Sequence, residues 1–131
     1  LELPDGHIVT GKTSPLLGAS CAMLINALKA LGGINDDIHL LSRNIIEPIQ
    51  RLKTGYLGSK NPRLHTDEVL IALTITTNPA AELAIKQLGK LRGCEAHSTV
   101  ILSQVDDNVF RNLGVNLTCE PNYQTKKLFH K

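Results

Sequence analysis

The run from Pro79 to Cys119 constrains the fold more than any other, because its pattern switches twice between helical and extended periods. Asn78-Pro79 is a strong helix start: Asn caps well, and Pro at the first helical position gives up a donor that would be unpaired anyway. Ala80, Ala84, Leu88 and Leu91 then recur at helical spacing. Glu82, Lys86 and Lys90 step by four along the opposite face, so one helix is expected over Pro79–Leu91, closed by Arg92-Gly93. The β-branched, apolar run Ser98–Leu102 predicts a strand. Asp106 or Asp107 caps a short helix through Leu113, Gly114 ends it, and Val115–Cys119 predicts a second strand stopped by Glu120-Pro121. Helix, strand, helix, strand in that order is the signature of an α/β layer. A chain of 131 residues, 42% of them hydrophobic, is enough for one such domain over residues 1–131.

Upstream, Asp5-Gly6 is a turn before a short strand over Gly6–Thr10. Leu17, Cys21, Leu24, Leu28 and Leu31 step by four, three, four and three, which predicts a helix over Ala19–Leu31 with a single buried stripe, ended by Gly32-Gly33. Ile38–Leu41 reads either as a short strand or as a helical turn. A further helix is expected over Asn44–Lys53, with Asn44 and Glu47 spaced as a capping box and Pro48 tolerated near its start. Gly55–Pro62 is polar loop. Thr66 is placed as the cap of a helix carrying Asp67 and Glu68 in its first turn, where the helix dipole favours acids. The run Val69–Ile75 is apolar nearly all round, and the β-branched Thr74–Thr77 clouds where that helix stops. The basic tail Lys126–Lys131 is expected to pack only through Leu128 and Phe129.

Charge narrows the function. Fourteen basic against twelve acidic side chains give a formal net charge of +2, too balanced for a nucleic-acid footprint, and the aromatics are only Tyr56, Phe110, Tyr123 and Phe129, too few for a base-stacking platform. No nucleic-acid partner is expected. No apolar run approaches the roughly 18 residues of a membrane span. Three widely spaced cysteines imply no disulfide framework and favour the cytoplasm. The opening Leu1-Glu2-Leu3-Pro4 reads as the interior of something longer, so an excised domain is expected, with the rest of its parent chain as a partner and a homo-oligomer as a further option.

Three clusters carry the chemistry-bearing side chains. Gly6 to Thr13 has the residue types of a phosphate-binding P-loop, but the strand that should precede the first glycine is missing, and Pro15 displaces the helix that should begin at Lys12-Thr13. A looser role is left for Lys12, Thr13 and Ser14: holding an anion beside the small-residue helix start at Gly18. The ordinary alternative is a loop across the sheet. Cys94, Glu95 and His97 sit before the predicted strand, where Cys and His three apart suit a nucleophile and base. The bland reading makes Cys94 core and bonds Glu95 and His97 to backbone. A structural zinc site would want four close ligands, and no second Cys pair provides them, so no metal is expected. His65 with Asp67 is the third cluster, with His as base and a carboxylate orienting it; the bland reading is a capped helix start with dipole-matched acids. No cofactor is indicated by any of these patterns.

Several long runs in order resemble one family: Leu3-Pro4-Asp5-Gly6, Thr10 to Ser20, Asn61 to Leu73, Leu91 to Ser98, Val109-Phe110-Arg111 and Asn116 to Pro121. They resemble the C-terminal part of the bacterial domain of unknown function family 1846, also called uncharacterised protein family 0371. The resemblance implies a three-layer α/β sandwich around a mixed sheet, similar to the cytidine deaminase-like topology. The zinc ligands of that class are not matched here, since no His-x-Glu is followed by Pro-Cys-x-x-Cys. It carries over no catalytic residue. Two functions are compatible: one wall of the active site of an enzyme acting on a small anionic or phosphorylated metabolite, or a packing or oligomerisation domain without chemistry of its own.

Overall fold

The computed structural model describes residues 1–120. The expectation for the tail Lys126–Lys131 lies outside the described residues. Element order is α1 (Ala19–Leu31), α2 (Arg43–Arg51), a π-turn (Leu52–Tyr56), α3 (Thr66–Ile75), α4 (Pro79–Ile85), a 3-10 turn (Leu88–Leu91), β1 (Glu95–Ser98), α5 (Gln104–Asn112) and β2 (Asn116–Cys119). The fold is mixed α/β. β1 and β2 pair in parallel, with Glu95 opposite Asn116 and Ser98 opposite Cys119, and α5 is the crossover between them. The N-terminal segment lies antiparallel along the other edge of β1, where Glu2 N–H donates to Glu95 C=O at 2.8 Å.

The N-terminal stretch forms a tight hairpin rather than the isolated strand expected over Gly6–Thr10. Leu3 N–H donates to His7 C=O and Val9 N–H to Leu1 C=O, both at 2.8 Å, around the turn at Gly6, whose φ of +87° only glycine adopts without strain. Ile38–Leu41 is irregular turn.

α1 has the boundaries its stripe predicts, and Cys21, Leu24, Ala27 and Leu28 are fully buried along it. α2 begins one residue early, with Ser42 at the cap position. The Asn44–Glu47 capping box does not form, and Glu47 instead approaches Arg43 at 4.0 Å. After Arg51 the helix widens, Leu57 N–H reaching back five residues to Leu52 C=O. At α3 the cap position belongs to His65, not Thr66: Glu68 Oε1 accepts the His65 N–H at 2.7 Å, while Thr66 turns into the core. The helix stops at Ile75, and Thr76 is extended.

The helix expected over Pro79–Leu91 ends as an α-helix at Ile85 and continues as a 3-10 turn containing Gly89, a poor helix former. That tighter turn delivers Leu91 to the core, fully buried. The strand moves too. Thr99–Leu102 forms no strand; β1 lies at Glu95–Ser98. The Ser98 hydroxyl donates to Val100 C=O at 2.7 Å and accepts the Val100 N–H at 3.3 Å, bending the chain away from β2 after four paired residues. One cluster of buried apolar side chains joins α1, α3, α4, α5 and the sheet, with Phe110, Leu24, Leu28, Leu64, Leu73 and Leu91 its largest fully buried members.

Candidate functional site

A cleft of about 670 Å³ opens above β1, between the loop leading into α1 and the segment Lys60–His65. Four pieces of chain build it, and each is fixed by a local reason. The first is the loop Thr10–Ser14. Asn26 Nδ2 on α1 donates to Thr10 C=O at 2.9 Å. Gly11 then passes so close over α1 that a Cβ there would collide with Ala19 C=O and Met23 N. That close approach, rather than any phosphate cradle, is what Gly11 provides.

The second piece is the start of α1. Ser14 spends its hydroxyl on the Leu16 and Leu17 N–H groups, at 3.3 and 3.2 Å, which turns the chain into the helix. Gly18 at the cap position offers no side chain, and the first turn holds no acid.

The third piece is the wall Lys60–His65. Leu64 N–H donates to Leu16 C=O at 3.2 Å and Arg63 Nε to Ser14 C=O at 2.6 Å, stitching the wall to the α1 loop. Behind it Lys53 is buried at 6% exposure, its Nζ 2.7 Å from Arg63 C=O and 2.9 Å from Glu68 Oε1. A buried ammonium held by a carboxylate and a carbonyl is a rigid brace, because releasing either partner strands a charge out of water.

The fourth piece is the turn after β1, with His97 and Ser98 at the cleft edge and Phe110 and Leu117 among its lining. His97 is tied down: Nδ1 lies 2.8 Å from Thr118 Oγ1 and Nε2 3.2 Å from Glu120 Oε1.

Asp106 is the hub of the site. It is 4% exposed. Its Oδ1 accepts the Thr66 N–H at 2.9 Å and the Thr66 hydroxyl at 2.7 Å, and its Oδ2 accepts the Ser20 hydroxyl at 2.9 Å. One carboxylate thereby joins α1, α3 and α5. His65 Nδ1 stands 3.8 Å from Asp106 Oδ2, too far for a hydrogen bond and close enough for an ion pair when the imidazole is protonated. Among the described residues Asp106 is the single acid lining the cleft, against Lys60, Arg63, His65 and His97.

The cleft thus gathers Thr13, His65 and His97 from the three sequence clusters and leaves the others elsewhere. Lys12 and Ser14 flank Thr13 without lining the cleft. Asp67 turns back to accept the Glu68 N–H at 2.8 Å, and the carboxylate beside His65 is Asp106. Cys94 and Glu95 border a separate hollow of about 180 Å³ with Leu3, Pro4 and Arg92. Lys60, Arg63 and Asp106 were not singled out by the sequence patterns. Asp106 carried a cap-like signal, and nothing local marks the other two.

Two thiols are shielded. Burial pushes the Cys94 thiol up, with its Sγ 3.6 Å from Lys90 C=O. Burial, reinforced by the Asp106 and Glu68 carboxylates, pushes the Cys21 thiol far up, and its S–H donates to Leu64 C=O at 2.9 Å. This fixes a pH dependence. Above the ordinary thiol value of 9.0 the unfolded chain loses the Cys21 proton while the folded chain keeps it. Stability therefore falls as pH rises beyond that point, by up to about 1.4 kcal/mol per pH unit, and is unaffected by this group below it. Urea titrations at pH 8 and pH 10 should show a smaller loss in Cys21→Ala than in the wild type, even though the variant starts less stable. Equal losses would remove Cys21 as the cause.

Comparison with known proteins adds the wider context. The family model described as "Domain of unknown function DUF1846, C-terminal" matches residues 1–129. The chain is 61% identical to a UPF0371 protein of Corynebacterium urealyticum, 59% identical to one of Corynebacterium diphtheriae and 56% identical to one of Streptococcus pyogenes serotype M5. In each case the match covers all of this chain and 27% of the relative, so the chain spans about a quarter of the length of the curated proteins it matches.

Proposed function

Because the chain belongs to the family of the DUF1846 C-terminal domain, we propose that it supplies one wall of a site, within a longer bacterial enzyme, that takes a small anionic or phosphorylated metabolite. The observation that carries this reading is the charge of the cleft. Lys60, Arg63, His65 and His97 line one concavity whose acidic lining residue among the described residues, Asp106, already accepts three hydrogen bonds from Ser20 and Thr66, while the Glu120 carboxylate outside the lining pairs with His97; Lys60 and Arg63 are its cations. A concave, partly apolar cavity of this size with a few convergent polar groups suits a metabolite. In this reading Lys60 and Thr13 meet the anion, and His65, backed by Asp106, sits where a proton would be given or taken.

The wider expectations rest on the same footing. The pairing around β1, antiparallel on one edge and parallel on the other, is compatible with the edge of a mixed sheet, and we keep the three-layer, cytidine deaminase-like arrangement as the reading of this domain inside its parent. Cys21, Cys94 and Cys119 are all free thiols, which favours the cytoplasm. Among the described residues no helix is long and apolar enough to cross a membrane.

The test is a thermal-shift screen of the full-length parent with inorganic phosphate, phosphorylated sugars and nucleotides, repeated with Lys60→Ala and His65→Asn. A ligand present at a hundred times its Kd stabilises by about 2.7 kcal/mol. That stabilisation should be lost or strongly reduced in both variants. A ligand that stabilises wild type and both variants equally would place the site in another part of the parent.

A further inference from the structure

Five large apolar side chains on two segments of the domain stand in water. Leu52 and Tyr56, on the π-turn, and Leu57, just after it, are 49%, 85% and 69% exposed, and Ile71 and Ile75, on α3, are 61% and 75% exposed. Ile71 and Ile75 lie one turn apart and share the helical face that begins at Glu68. Glu68 holds Lys53, in the middle of the π-turn, at 2.9 Å. That ion pair ties the segment that carries the first group to the helix that carries the second. An aromatic and four aliphatic side chains on a braced segment have the make-up of the core of an interface, not of a solvated surface.

We propose that these two exposed apolar groups are the docking surface for the preceding part of the parent chain. The relatives' length names that occupant. The relatives that match this chain over its whole length are nearly four times as long, the match covering 27% of them, and the matching family is a C-terminal one, so most of such a protein lies N-terminal to this domain. Lys53 Nζ also bonds Arg63 C=O at 2.7 Å, so the segment that carries Tyr56 is braced against the back of the Lys60–His65 wall. A π-turn is a rare local geometry that is frequent at functional sites. Here it turns Tyr56 and Leu57 outward while keeping Lys53 inside.

The inference rests on the proposal that the domain forms one wall of a shared site, and its test needs no ligand, so the two can fail separately. Hydroxyl-radical footprinting of the unmodified full-length parent, read by mass spectrometry, reports Tyr56, Leu57, Ile71 and Ile75 residue by residue. Each is compared with the same residue in the urea-unfolded chain. Tyr56 and Ile75 should be oxidised roughly tenfold more slowly in the native parent, at every protein concentration. Oxidation near the unfolded rate would overturn the proposal. Protection that disappears on dilution would also overturn it, since the occupant would then be a second copy of the protein.

Discussion

Asp106→Ala should lower the stability of the fold by about 3–5 kcal/mol, the range for stranding the partners of a buried charged group. Three donors lose their acceptor at once: the Thr66 N–H and hydroxyl, on a residue with no exposure at all, and the Ser20 hydroxyl on a residue that is nearly buried. Asp106 and Ser20 line the cleft, so water entering the gap brings the loss toward the lower end of that range. The Thr66 N–H is also one of the orphan donors at the start of α3, so its loss frays the helix that carries His65 at its cap. Asp106→Asn keeps the volume and one carbonyl oxygen. It should cost less than half as much, because the carboxamide oxygen still serves Thr66 while its NH₂ meets a Ser20 hydroxyl free to rotate. Urea unfolding of the two variants measures both quantities. A loss below about 1 kcal/mol for Asp106→Ala would show that the hub is a surface-like contact and not a brace.

Phe110→Ala should cost about 3–5 kcal/mol, the usual range for deleting a buried aromatic ring. Phe110 is the largest fully buried side chain, it lies one helical turn after Asp106 on α5, and it is part of the cleft lining. Its position decides where in the range the value falls. A hole opening into the cleft can fill with water, which brings the loss toward the lower end, whereas a sealed cavity would bring it to the upper end. Phe110→Leu, which keeps most of the apolar volume, should cost far less. Denaturant titrations of the two variants settle the point, and near-equal losses would mean that ring shape, not volume, holds α5 against the sheet.

Both residues sit on a helix whose role differs from what its pattern announces. In the sequence, Asp106 looks like a helix cap, a role the Ser103 hydroxyl takes by accepting the Asp106 N–H at 3.2 Å. Its carboxylate acts 40 residues away on Thr66 and 86 residues away on Ser20, distances over which no local pattern operates. The candidate site divides in the same way. Thr13, His65 and His97 stand out as residue types in suggestive company, whereas Lys60 and Arg63 become significant only when the Leu64 N–H and the Arg63 guanidinium, bonded to carbonyls of the α1 loop, place them beside the others.

By itself the sequence determined the helices and the order of the elements. The stripe from Leu17 to Leu31, the glycine pair after it and Asn78-Pro79 act through contacts within one or two turns, and α1 and the start of α4 stand where those signals put them. Signals of short range also placed β2 to within a residue, between Gly114 and Glu120. Tertiary structure decided the rest. A strand needs a partner, so the limits of β1 were set by its parallel register with Asn116–Cys119 and by the Ser98 turn, not by the most β-branched run beside it. The cap of α3 passed from Thr66 to His65 because a buried carboxylate on another helix claimed Thr66. The cleft itself exists only because Lys53, Asp106 and Gly11 hold three distant segments at fixed spacing, through a buried charge, a shared carboxylate and a missing side chain.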